Sequence, residues 1–164
     1  MSASVRSSEE RPREFVFLLC PQFSMIAFAA AIEPLRLANR VSRRPLYRWT
    51  LVSETGRPVT CSNGAEVAVE SALVDLRRGT SAVVCAGLDL AGSETRPVLT
   101  WLRRQARLGA TLGGVCTGAH VLARAGLLDG KRATIHWENQ SAFAEEFPEV
   151  ELSNLLYAVE DGVF

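Results

Sequence analysis

The sequence contains no CxxC pair, a single lysine, only two histidines and no net charge. Its four cysteines, Cys20, Cys61, Cys85 and Cys116, lie far apart. That scatter argues against a structural zinc site, so no metal and no cofactor is expected. Scattered thiols also suit a reducing cytoplasm. The apolar run nearest the N-terminus, Phe15 to Cys20, is six residues long, too short for a signal-peptide core or a membrane span. Eighteen basic side chains face eighteen acidic ones. Without a positive excess the chain lacks what a free-standing DNA-binding domain needs for phosphate. Of the basic residues only Lys131 is lysine, which codon bias explains as well as a preference for bidentate anion contacts does. No repeat or low-complexity segment occurs. What is present, 164 residues of which 48% are hydrophobic, suits one compact domain and is too apolar for a disordered chain.

The first residues, 1–14, mix Ser, Arg and Glu and read as a disordered lead. The domain proper is expected over 15–164. Phe15 to Cys20 has the continuous apolar pattern of a strand buried on both faces in a parallel sheet. Phe23 to Arg40 follows, Ala-rich and interrupted by Pro34; since proline is disfavoured inside a helix, the regular helix is expected from Pro34 to Val41 after an irregular entry. Leu46 to Ser53 reads as a second strand, and Val59 to Cys61 with Ala65 to Val69 as a hairpin around Ser62-Asn63-Gly64. Ser81 to Ala86 is another buried strand, Ser93 to Arg107 an amphipathic helix, and Ala110 to Val115 a short strand. Thr117 to Ala125 reads as a helix stopped by Gly126. Ala133 to His136 is strand-like, Glu138 to Phe147 helical, and Val150 to Leu152 and Leu155 to Val159 are the last strand candidates. The alternation predicts an α/β sandwich with a mostly parallel central sheet.

The sharpest local signal is Gly113-Gly114-Val115-Cys116-Thr117-Gly118-Ala119-His120. A cysteine at a strand-to-helix junction, with glycine two residues before and two after, has the spacing of a nucleophile elbow carrying Cys in place of Ser. The flanking glycines are needed where strand and helix approach closely. The helix start behind Cys116 favours thiolate and offers amides to an anion. The plainer alternative is a buried structural cysteine among packing glycines. His136 ends a predicted strand, and in doubly wound sheets strand carboxyl ends face one crevice, so it is expected beside Cys116. His120 reads rather as a helix-surface residue.

The run GVCTGAHVLARAGLLDGKRATIHWE, with FSMIAFAAAIEPLRLANR and LYRWTLVS before it, resembles the N-terminal domain of GlxA-type regulators of the AraC family. Those domains are similar to the PfpI-type branch of the class I glutamine amidotransferase-like superfamily. The likeness covers roughly residues 15 to 164. It implies a flavodoxin-like three-layer α/β/α sandwich, a pocket at Cys116 and Thr117, and a C-terminal helix-turn-helix DNA-binding module absent from this sequence. PfpI-type enzymes carry an Asp or Glu after the first strand that hydrogen-bonds the elbow cysteine. If Ala30-Ala31 is aligned with the Gly-Pro of relatives, that position is Ala27, which can neither orient a thiol nor carry a proton. Glu33 lies nearby in sequence and either substitutes for the acid or, as the alignment has it, is a residue behind the site or at the helix start. Gly87 matches the place of an oxyanion amide, or is simply a strand-end glycine.

The resemblance therefore implies a sensor without turnover: a small-molecule effector held by Cys116, His136, Trp137, Gly87, Thr117, Ala27 and Glu33, with no catalytic residue and with Cys116 and His136 vestigial. Trp137 is either an aromatic face for a nitrogenous cation such as an amine, a quaternary ammonium or an arginine-like group, with Glu138 or Glu33 as counter-charge, or a packing residue. The alternatives are a cysteine-dependent hydrolase, hydratase or deglycase with Cys116 as nucleophile, and a dimerisation module with a vestigial pocket. A homodimer is expected, since two-fold proteins match two-fold operators. DNA would be bound only through the missing module, and no membrane contact is expected. Asp161-Gly162 reads as a turn and Val163-Phe164 as the start of a strand that the sequence cuts short.

Overall fold

The computed structural model describes residues 11–160. Most of the expected N-terminal lead, and the turn and strand expected at 161–164, lie outside the described residues. Arg13 and Glu14, assigned to the lead from sequence, are instead the opening of the first strand, β1 (Arg13–Leu19). They are recruited by pairing: Arg13 and Glu14 stand in register with Tyr47 and Arg48 of β2 (Tyr47–Val52), and the Arg13 amide donates to the Leu46 carbonyl at 2.9 Å. Backbone partners can extend a strand through polar residues that carry no apolar signal.

Between them lies α1 (Met25–Ser42), one continuous 18-residue helix with Pro34 inside it. The expected break at Pro34 does not occur. Pro34 and Ala30, whose carbonyl loses its usual donor, are both exposed, so water can take the place of the missing bond. Ser24 caps the helix, its hydroxyl accepting from the Ala27 amide. Arg43, in the left-handed region at φ 52°, ends it.

The hairpin expected around Asn63-Gly64 forms as β3 (Val59–Thr60) and β4 (Glu66–Val67). The buried strand β5 (Ser81–Cys85) follows. The helix expected from Ser93 starts instead at Arg96, as α3 (Arg96–Arg107), and Ser93 ends a separate short helix, α2 (Leu90–Ser93), because Asp89 and Thr95 each cap a start of their own. Then come β6 (Thr111–Val115), α4 (Gly118–Arg124), β7 (Arg132–Ala133), α5 (Gln140–Glu146) and β8 (Glu151–Leu152).

Four strands form one wholly parallel sheet in the order β2-β1-β5-β6. The first crossover runs outward to β2 and the later ones to the other side, so the order reverses between β1 and β5. This is the flavodoxin-like arrangement, and its ligand crevice lies beyond the strand carboxyl ends at that reversal. Alternation along β1 divides the core. Val16 and Leu18 face one layer with Val84, Leu112, Trp101, Leu102, Leu122 and Phe143, while Phe17 and Leu19 face the other with Val83, Phe23, Phe28 and Val59. Helices α3, α4 and α5 thus cover one face; α1 and the hairpin cover the other. Each fully buried Leu or Phe contributes about 1.5–3 kcal/mol of transfer free energy.

The C-terminal quarter departs from expectation. The strand expected over Ala133 to His136 stops at Ala133, and β7 pairs in parallel with β8 alone, outside the central sheet. Beyond it the Ala133 carbonyl takes the Ser153 amide and the Thr134 hydroxyl donates to the Leu155 carbonyl at 2.7 Å, which fastens the chain without a ladder. The strand expected over Leu155 to Val159 is not formed; Leu155, Leu156, Tyr157 and Val159 are exposed. Among the described residues no helix is long and apolar enough to cross a membrane, and no cluster of three metal-ligating side chains occurs.

Candidate functional site

β6 delivers the chain to Cys116, which takes φ 58°. A non-glycine residue held in that region stores about 1–3 kcal/mol of strain, sustained only where the surroundings over-determine it. Here they do. A methyl group at Gly114 would stand 2.6 Å from the Gly118 carbonyl carbon, and one at Gly118 would stand 2.3 Å from the Val84 carbonyl oxygen. The two glycines let α4 descend onto β5 and β6, and the sharp turn between them presents Cys116. The elbow geometry expected from spacing is therefore present in the fold.

Thr117 is buried, and its hydroxyl donates to the Gly87 carbonyl at 2.8 Å. That bond fastens the elbow to the end of β5. Gly87 in turn is held against the loop after β1: it bridges Phe23, and a methyl group there would lie 2.1 Å from the Gln22 carbonyl. The Ser24 amide donates to the Ala86 carbonyl at 3.3 Å and the Leu88 amide to the Gln22 carbonyl at 3.2 Å. Gly87 is thus required by close backbone approach. The carboxyl ends of β1, β5 and β6 meet at one hydrogen-bonded rim, with Thr117 and Gly87 in direct contact.

The other expected site residues are placed as follows. Ala27 sits in the first turn of α1, half-buried and without a functional group. Glu33 is half-exposed on α1 and forms a bidentate ion pair with Arg36, which holds its carboxyl below the usual carboxylate range. His136 is exposed, 3.8 Å from the Glu138 carboxylate and tilted against the Trp137 ring. Trp137 is 72% exposed, which removes the core-packing alternative. Among the described residues the Cys116 sulfur has no hydrogen-bond partner. The structure therefore assembles the elbow with Gly87 and Thr117, and among the described residues Cys116 makes no hydrogen bond to His136, Ala27 or Glu33.

His120 corrects the sequence reading. It is not a surface residue: its side chain is 8% exposed, between Glu94 and Glu146. Nδ1 meets Glu94, and Nε2 lies 2.9 Å from Glu146. Arg124, one turn further along α4, contacts both carboxylates, and Phe143 and Phe147 pack edge-on against the imidazole. The Arg124 guanidinium, then His120, hold the Glu146 carboxyl below its usual range. This network locks the elbow helix to α5 and to the link between α2 and α3. Nothing local in sequence marks it, because the carboxylates are 26 residues either side of His120. A His and Arg at i, i+4 on a short helix was the only available signal.

Cys20, Cys61 and Cys85 are buried and Cys116 is not. Burial pushes the Cys20 thiol up to about 12 and the Cys85 thiol well above its usual range. Since thiolate is the reactive form, one thiol per native chain is expected to react with a disulfide reagent, the other three only on unfolding. Kinetic labelling with Cys116→Ser as control checks this; fast labelling of two or more thiols would contradict it.

Sequence comparison matches residues 16–159 to the model described as the DJ-1/PfpI family. Over 148 residues the chain is 45% identical to the HTH-type transcriptional regulator CdhR of Pseudomonas aeruginosa, covering 90% of this chain and 44% of that protein. It is 36% identical to the HTH-type transcriptional regulator GlxA of Rhizobium meliloti, covering 99% and 50%. An isonitrile hydratase of Pseudomonas putida is 32% identical, covering 74% and 51%. The chain thus spans about half the length of these curated relatives. Among solved structures, an AraC family transcriptional regulator from Pseudomonas putida superposes with a TM-score of 0.80 at 30% identity, covering 93% of this chain and 82% of that one.

Proposed function

Because this chain belongs to the DJ-1/PfpI family, we propose that it is the effector-sensing domain of an AraC-type transcriptional regulator, binding a small nitrogenous metabolite at the elbow without turnover. One observation carries the reading: the strained elbow at Cys116 is retained, while the groups that would drive chemistry there are not engaged. In this reading Ala27 takes the place of the acid of PfpI-type enzymes; His136 lies beside Glu138, and the thiol has no hydrogen-bond partner among the described residues. A nucleophilic thiol needs a base or acid within hydrogen-bond reach. A binding pocket needs only shape and a few polar groups. The likeness to the regulators CdhR and GlxA supports the same reading. In it the exposed Trp137 face, with Glu138 beside it, meets the cationic end of the effector. The protein acts in the cytoplasm as a homodimer, and DNA is read by a helix-turn-helix domain outside this sequence.

The test is a panel of amines, quaternary ammonium compounds and guanidines. A binder of the native state raises the unfolding temperature, by about 2.7 kcal/mol of stability at one hundred times its Kd. The effector is expected to do so, to be recovered intact after prolonged incubation, and to lose at least about tenfold in affinity in Trp137→Ala. Catalytic consumption of an isonitrile, aldehyde or amide, abolished by Cys116→Ala, would replace this reading by a second one, a cysteine-dependent PfpI-type enzyme. The elbow strain at Cys116 is the observation that favours that second reading.

A further inference from the structure

A cavity of about 510 Å³ opens at the carboxyl edge of β1 and β2; Cys116, Gly87 and His136 do not line it, while Gln22, whose carbonyl lies against Gly87, does. Its floor is apolar, with Leu18, Val59 and Val98. Two residues of opposite charge from one short loop, Glu54 and the exposed Arg57, are among those that line it. They do not pair with each other, and among the described residues the Arg57 guanidinium has no hydrogen-bond or ion-pair partner at all. Glu54 is half-buried and held in place: the Thr95 hydroxyl donates to its Oε2 at 2.5 Å, while that same hydroxyl oxygen accepts from the Val98 amide as the cap of α3. The Glu54 Oε1 is left without a partner among the described residues. The loop itself is pinned, because the Ser53 hydroxyl donates to the Arg57 carbonyl at 2.8 Å.

We propose that this cavity is a second small-molecule site, separate from the elbow, for a compact zwitterion of the α-amino-acid type with an apolar side chain. Two opposite charges a few residues apart, neither in an ion pair among the described residues, above an apolar floor, are complementary to a molecule that carries both charges and an aliphatic body. A simple anion meets Glu54 as a repulsion, and a simple cation meets Arg57 likewise. The volume lies within the range of small-molecule pockets. Carboxylate on guanidinium and ammonium on carboxylate are charge-assisted contacts that fix the orientation of the ligand.

L-Leucine is the probe, with L-leucinamide, which lacks the carboxylate, and 4-methylpentanoate, which lacks the ammonium. Calorimetric titration of the 164-residue chain is expected to give saturable leucine binding, with both analogues at least about tenfold weaker. Arg57→Gln and Glu54→Gln are each expected to cost about tenfold or more, and Cys116→Ala to change nothing. Arg57 is exposed, and glutamine at 54 keeps an acceptor for Thr95, so both variants are expected to fold; unchanged melting temperatures without ligand check that. Absence of saturable leucine binding, binding indifferent to both loop variants, or binding lost in Cys116→Ala would overturn the proposal. The last result would place the amino acid at the elbow instead.

Discussion

Gly118→Ala is expected to destabilise the fold by about 3 kcal/mol or more, and to abolish effector binding at the elbow along with it. The added methyl would stand 2.3 Å from the Val84 carbonyl oxygen, a backbone atom in the most buried strand of the sheet. It cannot swing aside as a flexible side chain would. Relief requires α4 to lift from β5, which pulls Thr117 from Gly87 and disturbs the turn that presents Cys116. Gly64→Ala provides the comparison, because Gly64 has φ 87° but open space around its missing Cβ. There only backbone strain acts, costing about 1 kcal/mol. Urea unfolding of both variants separates the two effects. Similar midpoints would mean that the approach of α4 to β5 is not what demands glycine.

His120→Ala is expected to cost about 3 kcal/mol, because it empties a ring-sized space beside Phe143 and Phe147 and removes the group between two carboxylates. Glu94, only 13% exposed, would keep Arg124 as its remaining partner, whereas Glu146 is 39% exposed and its share is weakened by solvent screening. A double-mutant cycle between His120 and Glu94 should return a coupling well above the few tenths of a kcal/mol expected of independent sites. The network also has a pH signature. The Glu146 carboxyl, held below its ordinary value of 4.5 chiefly by Arg124, contributes stability that is complete above that value. That contribution is lost as pH falls through the lower, folded-state value. The urea midpoint of the wild type should therefore fall more steeply below pH 4.5 than that of Glu146→Gln. Parallel curves would show that the carboxylate contributes nothing.

What was legible in the residues was local in origin. The runs Phe15 to Cys20 and Ser81 to Ala86 announce strands because both faces of a parallel sheet are buried, and Asn63-Gly64 announces its hairpin through turn chemistry. The elbow was legible for the same kind of reason: glycine is demanded at two fixed offsets from Cys116 by a turn a few residues long. Pro34 was misleading because its cost depends on whether a freed carbonyl meets water, and only the docking of α1 leaves Ala30 exposed. Ala133 to His136 was misleading because an apolar, β-branched stretch needs a partner strand to become one, and the partner reaches only to Ala133.

The sequence by itself determined the fold class, the elbow and the family resemblance, since periodicity, turn residues and a contiguous motif are properties of neighbouring residues. The tertiary structure alone decided the rest. It put His120 between Glu94 and Glu146, left His136 in solvent beside Glu138, and set Glu54 and Arg57 around a cavity with no ion pair among the described residues. The His120 contacts join residues far apart in the chain, and the other two arrangements depend on what the rest of the fold leaves beside residues that are neighbours in sequence. A hydrogen bond spanning 26 residues, or a charge left without an ion pair among the described residues, follows from where the helices come to rest on the sheet, and no periodicity within the chain encodes that.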